Sequence, residues 1–99
     1  MAEMSIADAL KQAIQEEMRR DDTVFCLGED VDIEGGMGGA FTVTKGLLEE
    51  FGPERVINTP IAEILISGVC VGAGITGMRP VADLQYGDFL FCMMDQLVN

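Results

Sequence analysis

The segment from Thr59 to Pro80 restricts the fold of this chain more than any other part. It is almost entirely apolar, and residues 72–77 spell G-x-G-x-x-G. A dinucleotide-binding fingerprint needs a strand before the first glycine and a helix that starts near the second. Pro80 would fall in the first turns of that helix, where proline removes a hydrogen bond and clashes with the preceding turn. The context therefore argues against a Rossmann-type nucleotide site.

The same segment is better explained as one helix. Thr59 suits the N-cap and Pro60 the first helical turn. Gly68 and Gly72 are four residues apart and share a face of this helix. Because an interior glycine costs roughly 1 kcal/mol relative to alanine, we expect close packing against another backbone as compensation. That backbone belongs either to the same domain or to a partner subunit, and Gly77 would end the helix.

Helices and strands alternate along the rest of the chain. Ser5 is a candidate N-cap for a helix whose apolar stripe recurs at helical spacing, Gly52 and Pro53 would stop a second helix, and Asp88 would cap the last one. Such an alternation predicts an α/β domain built around a parallel sheet flanked by helices. The predicted helices cover 5–20, 44–51, 60–77 and the residues from Gly87 onward, and the predicted strands cover 23–28, 55–58 and 79–84.

The length of 99 residues allows one small domain with a modest core. Three short strands are few for such a sheet. The sequence also ends within an apolar helical pattern, at 95–99. We therefore expect residues 1–99 to be the front part of a larger, truncated domain.

The charge distribution bears on partners. The formal net charge is −11, from 17 acidic and 6 basic residues. Nucleic acids and anionic membranes are bound through lysine and arginine clusters, which this chain lacks. The first residues have no signal-peptide pattern and no apolar run is suited to spanning a membrane. We expect neither nucleic acid nor membrane as a partner.

The cysteines indicate structural thiols. Cys26, Cys70 and Cys92 each lie among apolar neighbours, without a C-x-x-C pair or any histidine. We expect three buried thiols in a reducing, cytoplasmic compartment and no zinc site. The acidic, glycine-rich segment 29–39 lacks the order of calcium ligands of an EF-hand, so we expect no metal there either. Acid–base chemistry would then require carboxylates, Tyr86, lysine or a bound cofactor.

Glu63 is the single charge in an otherwise apolar helix. Taken alone, it is best explained as a first-turn carboxylate that stabilises its own helix through the helix dipole. Residues 63–73 nevertheless spell E-x-x-x-x-G-Φ-x-x-G-Φ, with Φ apolar. This pattern resembles the signature of the pyrimidine-binding domain of thiamine-diphosphate enzymes.

Five further stretches extend the resemblance over residues 5–99. They are similar to the β subunit of two-component E1 enzymes of 2-oxoacid dehydrogenases, the pattern of pyruvate, branched-chain 2-oxoacid and acetoin dehydrogenases. The alternatives are a transketolase-like or deoxyxylulose-phosphate-synthase-like pyrimidine domain and a non-catalytic α/β association module. The stretches are LGEDV (27–31), GGAFTVTKGL (38–47), FGPERVINTPIAE (51–63), GMRPVADLQYGDF (77–89) and DQLVN (95–99).

The resemblance implies roles for particular residues. Glu63 matches the glutamate that hydrogen-bonds N1′ of the aminopyrimidine, which favours the imino form that removes the C2 proton of the cofactor. Phe89 matches an aromatic residue that packs on the aminopyrimidine; taken alone, Phe89 would be explained by core packing. Glu29 matches a second carboxylate near the pyrimidine, proposed to relay protons between paired active sites. Gly68 and Gly72 would lie on a subunit-interface helix.

The resemblance also implies partners. In this family a G-D-G…N motif of the E1 α subunit holds Mg²⁺ and the diphosphate, and this chain has no such motif. An α2β2 heterotetramer would oxidatively decarboxylate a 2-oxo acid, or cleave acetoin, and pass the acyl group to a lipoyl acyltransferase, E2. We expect residues 1–99 alone to be an inactive, partial pyrimidine-binding domain.

Overall fold

The computed structural model describes residues 3–31 and 43–99. Helices and strands alternate in it, as the sequence predicts. The elements are α1 (Ile6–Arg20), β1 (Val24–Gly28), α2 (Leu47–Phe51), β2 (Val56–Asn58), α3 (Glu63–Ile75), β3 (Arg79–Asp83), a 3₁₀-helix (Gly87–Met93) and α4 (Met94–Val98).

The three strands form one parallel sheet in the order β2-β1-β3. Cys26 of the central strand aligns with Val56 of β2 and with Val81 of β3. β1 is buried along its whole length, which explains its uninterrupted apolar sequence, because a central parallel strand is covered on both faces. The predicted parallel α/β fold is confirmed.

Helices cover both faces of the sheet. Successive side chains of a strand point to opposite faces, so β1 contributes to two cores. Cys26 packs with Met18 of α1 and Leu47 of α2 on one face. Leu27 packs with Ile66 of α3 and with the 3₁₀-helix on the other.

Helix α1 forms largely as predicted. Ser5 is its N-cap, and the Ser5 Oγ accepts a hydrogen bond from the Asp8 backbone N–H at 3.1 Å. Of its apolar stripe, Met18 is fully buried whereas Ile6 is 82% exposed. The described residues therefore cover only the C-terminal part of the stripe.

Arg55 joins the helical layer to the sheet. Its guanidinium donates hydrogen bonds to the backbone carbonyls of Met18, Asp21 and Val24, at 2.6, 2.9 and 2.8 Å. It also lies over the Phe51 ring, with 5.0 Å between Cζ and the ring centroid. These contacts fix the turn between α1 and β1, a role that the sequence analysis did not assign.

The predicted start of α3 was wrong. The helix begins at Glu63 after Ala62, so Thr59 is not its N-cap and Pro60 is not in its first turn. The Thr59 backbone N–H instead donates to the Gly28 carbonyl at 2.9 Å. This bond continues the β1–β2 pairing by one step and keeps the chain extended beyond β2.

The last helix also differs from the prediction. Residues from Gly87 form a 3₁₀-helix before α4, and the cap position belongs to Tyr86. Asp88 lies in the first turn and is not the N-cap, because the helix begins two residues earlier than a cap at Asp88 requires.

The glycine-rich end of α3 is helical, which rules out the strand–turn–helix context of a dinucleotide fingerprint. Gly72 and Gly74 lie within α3. Gly77 follows the helix with φ +101°, a left-handed conformation that glycine adopts without steric cost. The chain turns there into β3.

The expectation of three buried thiols was right for Cys26 only. Cys26 is buried and Cys70 is half-buried, but Cys92 is exposed on the 3₁₀-helix. Burial raises the pKa of the Cys26 thiol to about 12 and also raises that of Cys70. In the described ranges, no helix has the length and apolarity needed to cross a membrane.

Candidate active site at the carboxyl edge of the sheet

The three parallel strands end together. Gly28, the last residue of β1, aligns with Asn58 at the end of β2 and with Asp83 at the end of β3. In open α/β sheets, ligands bind beside the carboxyl ends of the strands. This edge is therefore where the fold itself favours a site.

Each of the three predicted cofactor residues lies on a different segment that leaves this edge. Glu29 directly follows β1. Glu63 follows β2 after a short extended link and is the first residue of α3. Phe89 follows β3 on the 3₁₀-helix. All three are half-buried.

Two hydrogen bonds join these segments. The Thr59 N–H donates to the Gly28 carbonyl at 2.9 Å, which ties the segment leading to Glu63 to the end of β1. The Gln85 Nε2 donates to the backbone carbonyl of Glu29, also at 2.9 Å, which ties the segment leading to Phe89 to the same end.

The Glu63 carboxylate is available to a ligand. It forms no hydrogen bond or ion pair with another residue of the described ranges, whereas the Glu63 backbone carbonyl accepts from the Ser67 hydroxyl at 2.9 Å. At the first position of α3 it lies beside unpaired backbone N–H groups, which favour a negative charge. A ring nitrogen that shares a proton is a suitable partner for such a group.

The Phe89 ring is held from one side. It packs edge-on against Tyr86, with ring centroids 5.9 Å apart and planes at 86°. The Phe89 N–H donates to the Tyr86 carbonyl at 3.1 Å. Because Phe89 is only half-buried, part of its ring surface can contact a flat ligand.

Two cavities lie next to this edge, and Glu29, Glu63 and Phe89 line neither of them. One, of about 260 Å³, lies between α1 and the end of β3. It is lined by Thr44, whose buried hydroxyl has no hydrogen-bond partner among residues 3–31 and 43–99. The other, of about 210 Å³, lies between α3 and the 3₁₀-helix.

The predicted interface helix presents its glycines differently. A Cβ on Gly68 would lie 3.4 Å from Gln96 Oε1, in contact with α4, whereas one on Gly72 would meet nothing within 4 Å. Ile64 and Ile75 on the same helix are 60% and 81% exposed. Within the described ranges, the Gly72 side of α3 is therefore uncovered.

No group of three or more histidine, cysteine, aspartate or glutamate side chains that could hold a metal occurs within residues 3–31 and 43–99. Most of the segment 29–39, where we expect no metal, lies outside the described residues.

Comparison with known proteins identifies the family. A sequence model described as "Transketolase, pyrimidine binding domain" matches residues 2–99. The chain belongs to this family.

Curated relatives are similar over the whole chain. It is 50% identical over 99 residues to the 2-oxoisovalerate dehydrogenase subunit beta of Bacillus subtilis. It is 46% identical over 97 residues to the pyruvate dehydrogenase E1 component subunit beta of Rickettsia bellii, and 45% over 97 to the mitochondrial beta-1 subunit of Arabidopsis thaliana. The alignments cover 98–100% of this chain but only 29%, 29% and 26% of those relatives.

These findings confirm the resemblance to E1 β subunits and the pyrimidine-domain fold class. The roles of Glu29, Glu63 and Phe89, and of Gly68 and Gly72 at an interface, stay predictions.

Gln85 is a residue of this edge that the sequence analysis missed. Its contact with Glu29 crosses 56 positions of the chain, so no local pattern indicates it. The one available signal was a polar side chain soon after an apolar strand, at the end of the strand where sites form.

Proposed function

We propose that this chain supplies the aminopyrimidine-binding half of a thiamine diphosphate site in the E1 component of a 2-oxoacid dehydrogenase. The observation that carries the proposal is that the segments bearing Glu29, Glu63 and Phe89 follow β1, β2 and β3 from the same edge of the sheet, in a chain that matches the transketolase pyrimidine-binding domain.

The donor set suits an aminopyrimidine. Such a ring offers a flat apolar face and polar nitrogens at its rim. Phe89 provides a partly open aromatic surface, and Glu63 provides a carboxylate without a protein partner among the described residues. Glu29 adds a second carboxylate whose backbone is fixed by Gln85.

When bound, thiamine diphosphate supplies the carbon nucleophile that attacks a 2-oxo acid and accepts the electron pair left by decarboxylation. Glu63 would share a proton with the N1′ atom, and its fixed place at the start of α3 makes that contact directional. Phe89 would orient the ring by packing on its face. Glu29 would hold a further proton near the ring.

The remaining parts of the site would come from other chains. As the family resemblance implies, an E1 α subunit would bind the diphosphate and Mg²⁺ in an α2β2 assembly. A lipoyl domain of E2 would accept the acyl group formed from the 2-oxo acid. The free thiols agree with a cytoplasmic location for this assembly.

Glu63→Gln tests the proposal in the protein copurified with its α partner. The amide keeps the shape of the side chain but cannot share a proton in the same way. We therefore expect calorimetric titration with thiamine diphosphate and Mg²⁺ to change by less than about tenfold, while turnover falls by about 10²–10⁴-fold, the usual contribution of general acid–base catalysis.

Glu54→Gln is the matched control, because Glu54 is exposed and lies before β2, at the opposite end of that strand from the candidate site. Glu54→Gln should change neither the affinity for thiamine diphosphate nor the turnover. Equal turnover in the wild type and Glu63→Gln would refute the role of Glu63. Absence of cofactor binding in the wild-type assembly would instead favour the non-catalytic association module.

A transketolase-like or deoxyxylulose-phosphate-synthase-like enzyme remains the alternative within the enzyme class. Activity assays of the protein copurified with its α partner distinguish the two functions. Reductive acylation of a lipoyl domain supports the E1 function, and carbon transfer between sugar phosphates supports the alternative.

A further inference from the structure

The chain makes an unusual turn at Gln85, between β3 and the 3₁₀-helix. Gln85 has φ +70°, and the Tyr86 N–H donates to the Leu84 carbonyl across it at 2.8 Å. A three-residue turn closed in this way around a positive φ is a γ-turn of the rare, strained form. This conformation is unfavourable for a glutamine unless other contacts stabilise it.

Side-chain contacts hold the turn from both directions. The Gln85 N–H donates to the Asp83 Oδ1 at 2.9 Å, within β3. The Gln85 Nε2 donates to the Glu29 carbonyl at 2.9 Å, across the gap to the end of β1. The turn is therefore fixed to the strand before it and to the segment that carries Glu29.

The backbone around Glu29 is equally constrained. Asp30, with φ +55°, and Gln85 are the two non-glycine residues with positive φ in the described part of the chain. At Gly28 an added Cβ would lie 2.6 Å from the Asp83 carbonyl oxygen. Two non-glycine residues with positive φ, and one position that admits no Cβ, thus lie next to the hydrogen bond between Gln85 and Glu29. Strain of this kind persists where surrounding contacts impose it, and it concentrates at functional sites.

The positions of Glu29 and Phe89, two of the proposed cofactor contacts, depend on the hydrogen bond from Gln85 to the Glu29 carbonyl. It restrains the backbone of Glu29 directly. It also sets where the chain leaves β3, and hence where Tyr86 and the Phe89 ring packed against it begin. A change at Gln85 would alter the positions of Glu29 and Phe89 relative to each other, while Glu63 on α3 would be unaffected.

We propose that Gln85 is a positioning residue of the carboxyl-edge site, which fixes Glu29 and Phe89 relative to each other through its hydrogen bond to the Glu29 carbonyl and its left-handed turn. The assignment rests on the proposed function for its catalytic meaning. The hydrogen-bonded link between the segments that carry Glu29 and Phe89 does not depend on the proposed function. It can be measured without cofactor.

The first test is hydrogen exchange in the protein with its α partner and no cofactor. Gln85→Gly permits the same left-handed backbone but removes the side chain, and we expect backbone amides of residues 29–31 to exchange at least about tenfold faster. Amides within α1 should stay unchanged and serve as the internal control. Unchanged exchange at 29–31 would overturn the link.

Gln85→Asn is the matched variant. Asparagine tolerates a left-handed backbone and keeps the amide, but it is shorter by one methylene and cannot make the same contact with Glu29. It should behave like the glycine variant. Wild-type exchange in Gln85→Asn would show that the reach of the side chain is not the cause, and would overturn the proposal.

The second test is a double-mutant cycle on turnover with Glu29→Gln. If Gln85 acts through Glu29, each single variant lowers kcat, with KM for the 2-oxo acid changed less than about twofold. The double variant should then be no more than about twofold worse than the poorer single variant, because effects within one unit are not additive. Multiplying fold-losses would overturn the claim that Gln85 acts through Glu29.

Glu63→Gln separates this proposal from the proposed function. Loss of turnover in Glu63→Gln together with full turnover in Gln85→Gly would overturn the positioning role and leave the proposed function standing. Full turnover in Glu63→Gln would overturn the proposed function, and with it the catalytic meaning of Gln85.

Discussion

Gly28 is the residue at which the sheet leaves no room for a side chain. Substitution by alanine would place a Cβ 2.6 Å from the Asp83 carbonyl oxygen, in a backbone conformation with φ +154°. Since neither strand can move without breaking the β1–β3 pairing, we expect Gly28→Ala to lower the free energy of unfolding by about 2–4 kcal/mol, the sum of strain and overpacking. Urea denaturation of the purified protein measures this change.

Gly46→Ala is the control for Gly28→Ala. Gly46 also has a positive φ, +86°, but a Cβ there would meet no described residue within 4 Å. It should cost about 1–2 kcal/mol from backbone strain alone. An equal loss in the two variants would contradict the close approach at Gly28.

The three thiols should differ in reactivity. A thiol is nucleophilic as the thiolate, and burial raises the pKa of Cys26 to about 12. At pH 8 its thiolate fraction is therefore about a thousandfold smaller than that of a thiol with the reference pKa of 9.0. Mass spectrometry after iodoacetamide treatment of the native protein should find Cys92 modified first and Cys26 last.

The difference in reactivity between Cys26 and Cys92 should narrow only as the pH rises. Because the pKa of Cys26 is raised in the folded protein, its thiolate forms only as the pH approaches 12. Lowering the pH below 8 further reduces the thiolate and cannot make Cys26 reactive. In urea all three thiols should react alike. Modification of Cys26 as fast as Cys92 in the native protein would contradict the buried placement.

Helices and strands that are determined by neighbouring residues were predicted correctly from the sequence, whereas those determined by distant contacts were not. α1 and β1 were predicted closely, because Ser5 caps the helix and the apolar run of β1 suits only a central strand. The start of α3 was not predicted, because the Thr59 N–H pairs with Gly28 of another strand. The γ-turn at Gln85 was missed for the same reason, since its stabilising contact is distant in sequence.

Helix α3 allows a direct test of the predicted interface. Nothing in the described part of the chain lies within 4 Å of a Cβ built on Gly72. We therefore expect Gly72→Ala to stabilise the free chain by about 0.5–1 kcal/mol through helix propensity. If α3 forms a subunit interface, the added methyl group would meet the backbone of the partner subunit, so the affinity between the subunits should fall by about tenfold.

Gly74→Ala is the matched control on the same helix. A Cβ there also meets nothing within 4 Å, but Gly74 lies two positions further along and faces another direction. It should leave the affinity unchanged in sedimentation or calorimetry. Unaltered affinity in Gly72→Ala as well would show that this side of α3 does not form the interface.

For the whole molecule, the fold followed from the residues, whereas the site required the family resemblance. Taken alone, Glu63 was best explained as a helix-stabilising charge, and Phe89 was explained by core packing. Only the pattern of residues 63–73, with its flanking stretches, connected them to a cofactor. The structure adds that their segments leave the same edge of one sheet and that hydrogen bonds hold these segments together.

On the proposed function, the carboxyl-edge site would be shared between this chain and an E1 α subunit. The 99 residues include no G-D-G motif for a diphosphate, and the described ones include no cluster able to hold a metal. Binding the aminopyrimidine alone leaves the charged part of thiamine diphosphate in water, so most of the binding free energy is missing. We expect the purified 99-residue chain to release no CO₂ from pyruvate or 2-oxoisovalerate with thiamine diphosphate and Mg²⁺, and we expect the copurified α–β assembly to release it under the same conditions. Turnover by the isolated chain, measured as labelled CO₂ from the 1-¹⁴C acids, would contradict a shared site.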